Sequence, residues 1–315
     1  MKAAVVERYG APEVVRLTEL PTPEPRPGEV RVRVVVTAVT AGDARIRGAR
    51  FPKGFGPAAR LAFGVRGPRV RVLGNVFSGV VDAVGAGVTG LSTGDQVCGM
   101  TGMRMGAHAE YVVVAAERAV RKPAGVSHED AAGVLFGGTT ALHFLRDKAD
   151  LEAGASVLVN GASGAVGTNA VQLARHFGAT ITAVTSTRNL ELVTELGADR
   201  TVDHTVTGLG SLTDRFDVVL DTVGNLSPAS GRRLLNDGGV LLLAAASLWD
   251  IVRARGNVRT GSAPERAEDF VYLLGLVADG GLTSVNDRTE GLGEIVAAYT
   301  RVDSGHKVGN ILVRP

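Results

Sequence analysis

The stretch VLVNGASGAVGTNAVQLARHFGAT, residues 157–180, joins an apolar run to a glycine-punctuated turn and then to a helical pattern. SVLVN, ending at Asn160, has the unbroken apolar character of a strand buried on both faces. Beyond the turn, Val166, Ala170, Leu173, Ala174 and Phe177 recur at the spacing of one helix face. A helix starting directly after such a turn exposes four N–H groups without intrahelical partners, and its macrodipole adds roughly half a positive charge. Ala162, Gly164 and Gly167 are all small. The turn can therefore be tight, an anion can touch backbone, and the helix can lie close on its sheet. With Ser163, Ala165 and Val166 between them, the pattern A-x-G-x-x-G in a strand-turn-helix context fits a dinucleotide pyrophosphate. Glycine-rich turns of this kind also serve packing alone, so the following residues decide.

A second strand-like run, TITAVTS, ends at Ser186. About twenty residues past the glycines, a site that prefers NAD places Asp or Glu for the ribose hydroxyls. This chain reads Thr185, Ser186, Thr187, Arg188, Asn189 there. A carboxylate would repel the extra phosphate of NADP, whereas hydroxyls and a guanidinium hold it through charge-assisted hydrogen bonds. The sequence thus points to NADPH. The competing reading of Arg188 is a solvated residue at a helix start.

Working outward, HEDAAGVLFGGTTALHFL begins helical character, and strand-helix alternation continues through FDVVLDTVG, PASGRRLLND, GGVLLLAAA and NVRTGSA. Such alternation predicts a doubly wound parallel sheet, with Asp221 to Gly224, Val223 among them, at the carboxyl edge where a cofactor lies. Residues 1 to about 120 instead carry AAVVE, VVRLTE, VRVRVVVTAVT, two short strands within 76–98 and EYVVV, the pattern of a β-rich unit. Pro21, Pro23, Pro25 and Pro27 between strand signals read as a crossover loop.

A length of 315 residues exceeds the usual single core, so two domains are expected. With 45% hydrophobic and 21% charged residues and a formal charge of +2, the chain has the composition of a globular protein with no nucleic-acid partner. Its one cysteine, Cys98, excludes an intramolecular disulfide and a cysteine-based zinc cluster, which suits a reducing cytoplasm. MKAAVVERYG lacks an apolar signal core and no run of eighteen apolar residues occurs, so neither secretion nor a membrane span is expected.

In order along the chain, RVRVVVTAVTAGDARIRG, LGNVFSGVVDAVGAGVTGLSTGDQVCG, GAHAEYVVV, FGGTTALHFL, VLVNGASGAVG, TSTRNLELVTELGAD, FDVVLDTVG and SGHKVGNILV resemble the medium-chain dehydrogenase/reductase superfamily, specifically its zinc-independent quinone oxidoreductase-like branch. The resemblance implies an α/β fold: a Rossmann doubly wound parallel sheet over 124–265, plus a GroES-like β-rich catalytic domain of residues 1–123 completed by 266–315. It places the active site in the cleft between them. It also implies NADPH-dependent hydride transfer to a small-molecule quinone or to the β-carbon of an α,β-unsaturated carbonyl. Where zinc-dependent relatives hold catalytic metal, this chain has Thr40, Asn75 with Val76, and Phe136, so no competent ligand set remains and no metal is expected. By position, Thr40, Asn75 and Thr140 are the catalytic candidates, as hydrogen-bond donors at a developing oxyanion or beside the nicotinamide. Competing readings are a strand-end residue for Thr40 and an ST-turn opening a helix for Thr140.

The same carry-over adds cofactor candidates. Asn189 falls where relatives place a phosphate-binding Lys, His204 where they place a Tyr beside the adenosine ribose, and Asn310 where the returning tail contacts the cofactor. Residues 51–74 read as a substrate lid, with Phe51, Phe55 and Phe63 as flat faces and Lys53, Arg60, Arg66, Arg69 and Arg71 as basic groups or solvated charge. NVRTGSA, 257–263, reads as the last strand of the Rossmann sheet, an edge that the resemblance pairs with its twin in a homodimer. A cofactor-binding protein with little turnover, or a specialised biosynthetic enzyme, remain the alternatives, because fold does not fix function.

Overall fold

The computed structural model describes residues 1–51, 54 and 56–315, the side chain of residue 57 excepted. The chain forms two compact units: one takes most of the residues up to Phe136 together with Glu265–Pro315, and the other takes Gly137–Pro264.

In the first unit, β1 (Lys2–Val6) and β2 (Val15–Glu19) pair antiparallel. The alternating EVRVRVVVTA forms β3 (Glu29–Ala38), whose Val30, Val32, Val34 and Val36 are all buried. Two short helices, α1 (Ala41–Arg47) and α2 (Gly56–Phe63), precede β4 (Val76–Val84). Next come β5 (Gln96–Met100), β6 (Tyr111–Ala115) and β7 (Ala119–Arg121). β3 pairs with β4 and β6, β4 with β5, and β5 with β7, all antiparallel. Val30, Val32 and Val34 meet Phe77, Val81, Val97 and Val112 in one core.

The segment read as helical forms α3 (His128–Leu142), extended by a π-helical turn at His143–Lys148. The division between units falls inside α3, later than the expected boundary at residue 124. Glycines show why. A Cβ on Gly133 would stand 2.0 Å from Ser284 Oγ, within the first unit, and one on Gly137 would stand 2.1 Å from the Ala165 carbonyl, within the second. Each half of the helix is pressed against its own unit.

The second unit follows the alternation: β8 (Ser156–Asn160), α4 (Ala165–His176), β9 (Thr180–Thr185), α5 (Leu190–Glu195), β10 (Arg200–Asp203), β11 (Phe216–Asp221), α6 (Pro228–Arg232), β12 (Leu235–Leu243), α7 (Leu248–Arg253) and β13 (Val258–Thr260). All pairings are parallel, in the order β10-β9-β8-β11-β12-β13. Val157, Leu158 and Val159 of the central strand β8 are fully buried, as a strand covered on both faces requires. The order reverses between β8 and β11, the switch point where such sheets open a crevice at their carboxyl ends. β13 is an edge strand.

The chain then runs through α8 (Ala267–Ala278), β14 (Asn286–Gly291), α9 (Ile295–Asp303) and β15 (Asn310–Arg314). β14 and β15 pair parallel, and β15 joins β3 antiparallel, so the last residues add strands to the β-rich unit. Among the described residues no helix is long and apolar enough to cross a membrane.

Of the segment read as a lid, Lys53 and Phe55 lie outside the described residues. Phe51 and Phe63 stack on each other, centroids 5.5 Å apart, and pack against the core beneath α1 and α9. Both rings are half-buried there. Arg60 lies over the Tyr9 ring, and Arg66, Arg69 and Arg71 are exposed.

Candidate functional site

The carboxyl edge of the parallel sheet collects most of the expected residues. Gly161, just past β8, has φ +84°, and a Cβ there would stand 2.5 Å from Thr222 Oγ1. The turn therefore tightens at Gly161, one residue before Ala162, which has negative φ and is simply buried. Gly164 is the N-cap of α4 with no side-chain cap, and a Cβ on it would meet only the Gly161 carbonyl, at 3.5 Å. No side chain caps the first-turn amides of α4 and the volume above Gly164 is free, the form of a cradle for an anion. A Cβ on Gly167 would stand 2.1 Å from the Gly161 carbonyl oxygen and 2.7 Å from Ala162 Cα. That glycine lets the helix sit on the turn.

The loop after β9 is tied to this turn. Ser163 Oγ accepts from Thr185 Oγ1 at 2.8 Å and from Asn189 Nδ2 at 3.0 Å, and the same amide donates to Ser186 Oγ at 3.2 Å. Both serines act as acceptors inside the protein and keep a proton to give to a ligand. Thr187 differs from its expected role. Its hydroxyl donates to Asp203, so its proton is already spent. Arg188 is exposed beside it, and His204 is exposed with its backbone N–H donating to the Thr185 carbonyl at 3.0 Å.

At the end of β11, Asp221 is fully buried and its carboxylate accepts from Asn160 Nδ2 and from the backbone N–H groups of Val223, Gly224 and Leu226, at 2.9 to 3.1 Å. One side chain thereby shapes the whole loop beside the switch point. Val223 is held there with 52% of its surface exposed, an apolar face at the sheet edge. Thr140 lies one turn beyond Gly137, in the last turn of α3 before the π-helical turn, so it does not open a helix.

In the β-rich unit, Thr40 caps α1 rather than ending a strand. Its backbone N–H and hydroxyl donate to Asp43 Oδ2 at 2.8 and 2.6 Å, and the Asp43 N–H donates back to Thr40 Oγ1 at 3.2 Å. Asp43 Oδ1 accepts from the Gly74 N–H at 3.0 Å, which brings Asn75 to the same cluster. Asn75 Oδ1 is buried without a hydrogen-bond partner, an acceptor waiting for a donor. Nearby, the fully buried His108 bonds the Ala38 carbonyl through Nε2 and Tyr299 OH through Nδ1, and burial pushes its pKa down. Asn310 is buried at the start of β15, and its amide donates to the Val285 carbonyl at 3.0 Å. Among the described residues, no three His, Cys, Asp or Glu side chains cluster as a metal site.

The two units thus hold two groups of expected residues: Thr40, Asn75 and Asn310 in the β-rich unit, and Thr140 with the cofactor candidates in the doubly wound unit. Gly161, Asp43 and Asp203 belong to these clusters and were not read as site residues from the sequence. Only the glycine left a signal, its place between a strand and a small-residue turn.

Comparison with known proteins agrees with this architecture. Residues 26–124 match the alcohol dehydrogenase GroES-like domain, and residues 165–253 match the zinc-binding dehydrogenase family. A quinone oxidoreductase of Pseudomonas aeruginosa is 30% identical over 98% of this chain and 97% of that protein. A 2-methylene-furan-3-one reductase of Solanum lycopersicum is 29% identical over the full chain and 79% of that protein. The structure of the quinone oxidoreductase from Coxiella burnetii superposes with a TM-score of 0.88 at 26% identity, covering 100% of this chain and 99% of that one. Fold, site architecture and similarity along the whole length together show that the chain belongs to the medium-chain dehydrogenase/reductase superfamily of oxidoreductases, in its quinone oxidoreductase-like branch.

Proposed function

We propose that this chain is an NADPH-dependent, zinc-independent reductase that delivers hydride to a quinone or to the β-carbon of an α,β-unsaturated carbonyl. The observation that carries the reading is the uncapped N-terminus of α4 at Gly164, tied through Ser163 to Ser186 and Asn189. The open amides fit a pyrophosphate, and a Cβ-sized volume above Gly164 is free to receive it. Ser163, Ser186 and Arg188 supply two hydroxyl donors and a guanidinium for the adenosine end, with no carboxylate between Thr185 and Asn189. The bound nicotinamide supplies the hydride.

The chain's own part is orientation and charge stabilisation. Thr140, on the helix pressed against α4 at Gly137, is assigned to position the nicotinamide end. Asn75 offers an amide to the acceptor, and its unpartnered oxygen suits the hydroxyl of a quinol or enol product. Thr40 is fixed by Asp43, so its role is to hold the α1 cap and the Gly74–Asn75 turn in place. Thr40, Asn75, Val76 and Phe136 supply no thiolate, imidazole or carboxylate, which favours acceptors that need no Lewis acid over simple alcohols. Two relatives bear names for this chemistry, a quinone oxidoreductase and a methylene-furanone reductase. The functional unit is proposed to be a homodimer joined at β13.

The test is steady-state oxidation of NADPH and NADH with a panel of quinones and enones, for wild type and Arg188→Ala. Turnover with NADPH preferred, and a preference eroded in the variant, supports the reading. Equal use of both cofactors by wild type defeats the NADPH assignment.

A further inference from the structure

The loop that lacks a carboxylate in sequence acquires one in space. β10 pairs with β9 so that Asp203 lies opposite Thr185, and both strands end at the same edge. Asp203 accepts from the Thr187 hydroxyl through Oδ2. Through Oδ1 it accepts from the Thr205 hydroxyl at 2.7 Å and the Thr205 N–H at 2.9 Å. The two threonine oxygens lie 3.1 Å apart, so both hydroxyl protons converge on one carboxylate. These bonds, Thr187 first, hold the Asp203 carboxyl below the usual carboxylate range, which keeps it ionised.

A 2′-phosphate on the adenosine ribose needs donors and positive charge; here two of the available hydroxyls point their protons at a competing anion. Ser163 and Ser186, both acceptors within the protein, remain as donors. We propose that Asp203 is a specificity residue that restrains the preference for NADPH over NADH, by adding negative charge beside the phosphate position and by sequestering the Thr187 and Thr205 hydroxyls. The inference rests on the reading above that the adenosine end lies over the carboxyl ends of β9 and β10. Asp203→Asn keeps the shape, removes the charge, and leaves one acceptor oxygen where there were two, so a hydroxyl is released to the phosphate. Asp203→Ala releases both.

The experiment is a pair of fluorescence titrations, NADPH and NADH, on the full-length wild type and both variants, with thermal melts as the folding control. NADPH is expected to bind about tenfold tighter to Asp203→Asn while NADH moves by less than about twofold, with a ratio at least as large in Asp203→Ala. A ratio that is unchanged or falls in either folded variant overturns the proposal. Parallel weakening of both cofactors also overturns it, because that is the mark of a loop brace alone. Wild type that binds neither cofactor overturns the proposed function itself.

Discussion

Replacing Gly164 by valine separates the anion-cradle role of the turn from its packing role. The residue has φ −79° and ψ 173°, an extended conformation that valine adopts without strain. Its Cβ would make one ordinary contact, 3.5 Å to the Gly161 carbonyl. The loss of a tolerated N-cap costs about 1 kcal/mol, and the stiffer unfolded chain returns about 0.4 to 1 kcal/mol. Net stability should therefore stay within about 1 kcal/mol of wild type, a melting shift of no more than about 4 °C. The branched methyls, by contrast, occupy the space above the first-turn amides. Losing two charge-assisted hydrogen bonds at about 1.5 to 3 kcal/mol each weakens binding by 100-fold or more, roughly 3 to 6 kcal/mol. Gly167→Ala is the contrasting control. Its Cβ would stand 2.1 and 2.7 Å from backbone atoms, so despite a helix-propensity gain of about 1 kcal/mol it should lower stability by about 1 to 3 kcal/mol. The assay is thermal unfolding plus titration with NADPH. A Gly164→Val protein that melts like wild type and binds NADPH equally well would refute the cradle.

Three further outcomes follow from the same structure. Burial pushes the Lys307 pKa down to about 8 from 10.5, so between those values the unfolded chain binds more protons at this site and the Lys307 contribution to stability rises with pH, against the opposite contribution of Cys98, whose thiol burial raises to about 12. Urea unfolding at pH 7.5, 9 and 10.5 checks this, and Lys307→Met should flatten the rise relative to wild type. β13 is the edge strand of the parallel sheet, and the Val258 N–H there donates to the Arg255 carbonyl at 3.4 Å; Val258→Pro removes that bond and distorts the edge, and should convert the proposed dimer to a monomer of about half the mass by light scattering. A wild-type mass of 32.5 kDa would reject the dimer. With Thr40, Asn75, Val76 and Phe136 at the ligand positions, elemental analysis should find no stoichiometric zinc and chelator should leave activity intact; one tightly held zinc per chain would contradict that.

The sequence carried the doubly wound unit because its signal is periodic: SVLVN is apolar throughout, and the residues from Val166 switch to helical spacing. It marked the small-residue turn after β8 but not which residue takes positive φ there, Gly161, because composition does not carry a dihedral angle. It missed α1 because T-A-G-D follows a long strand and reads as its continuation, while the reciprocal Thr40–Asp43 cap is a local bond pattern. Phe51 and Phe63 looked available to a substrate because stacking between residues twelve apart leaves no trace in composition. Asp203 was hidden for a related reason. A parallel register brings it beside Thr185 and Thr187 from the next strand, and the absence of a carboxylate over 185–189 said nothing about its neighbours.

The most direct test of the central claim follows the hydride itself. NADPH carrying deuterium at the nicotinamide C4, in each of its two stereochemical forms, is incubated with the protein and an enone, and the product is read by mass spectrometry and NMR. One of the two forms should place a single deuterium on the β-carbon, with the α-carbon protonated from solvent. Deuterium on the carbonyl carbon, or cofactor bound with no transfer to any enone or quinone, would contradict it.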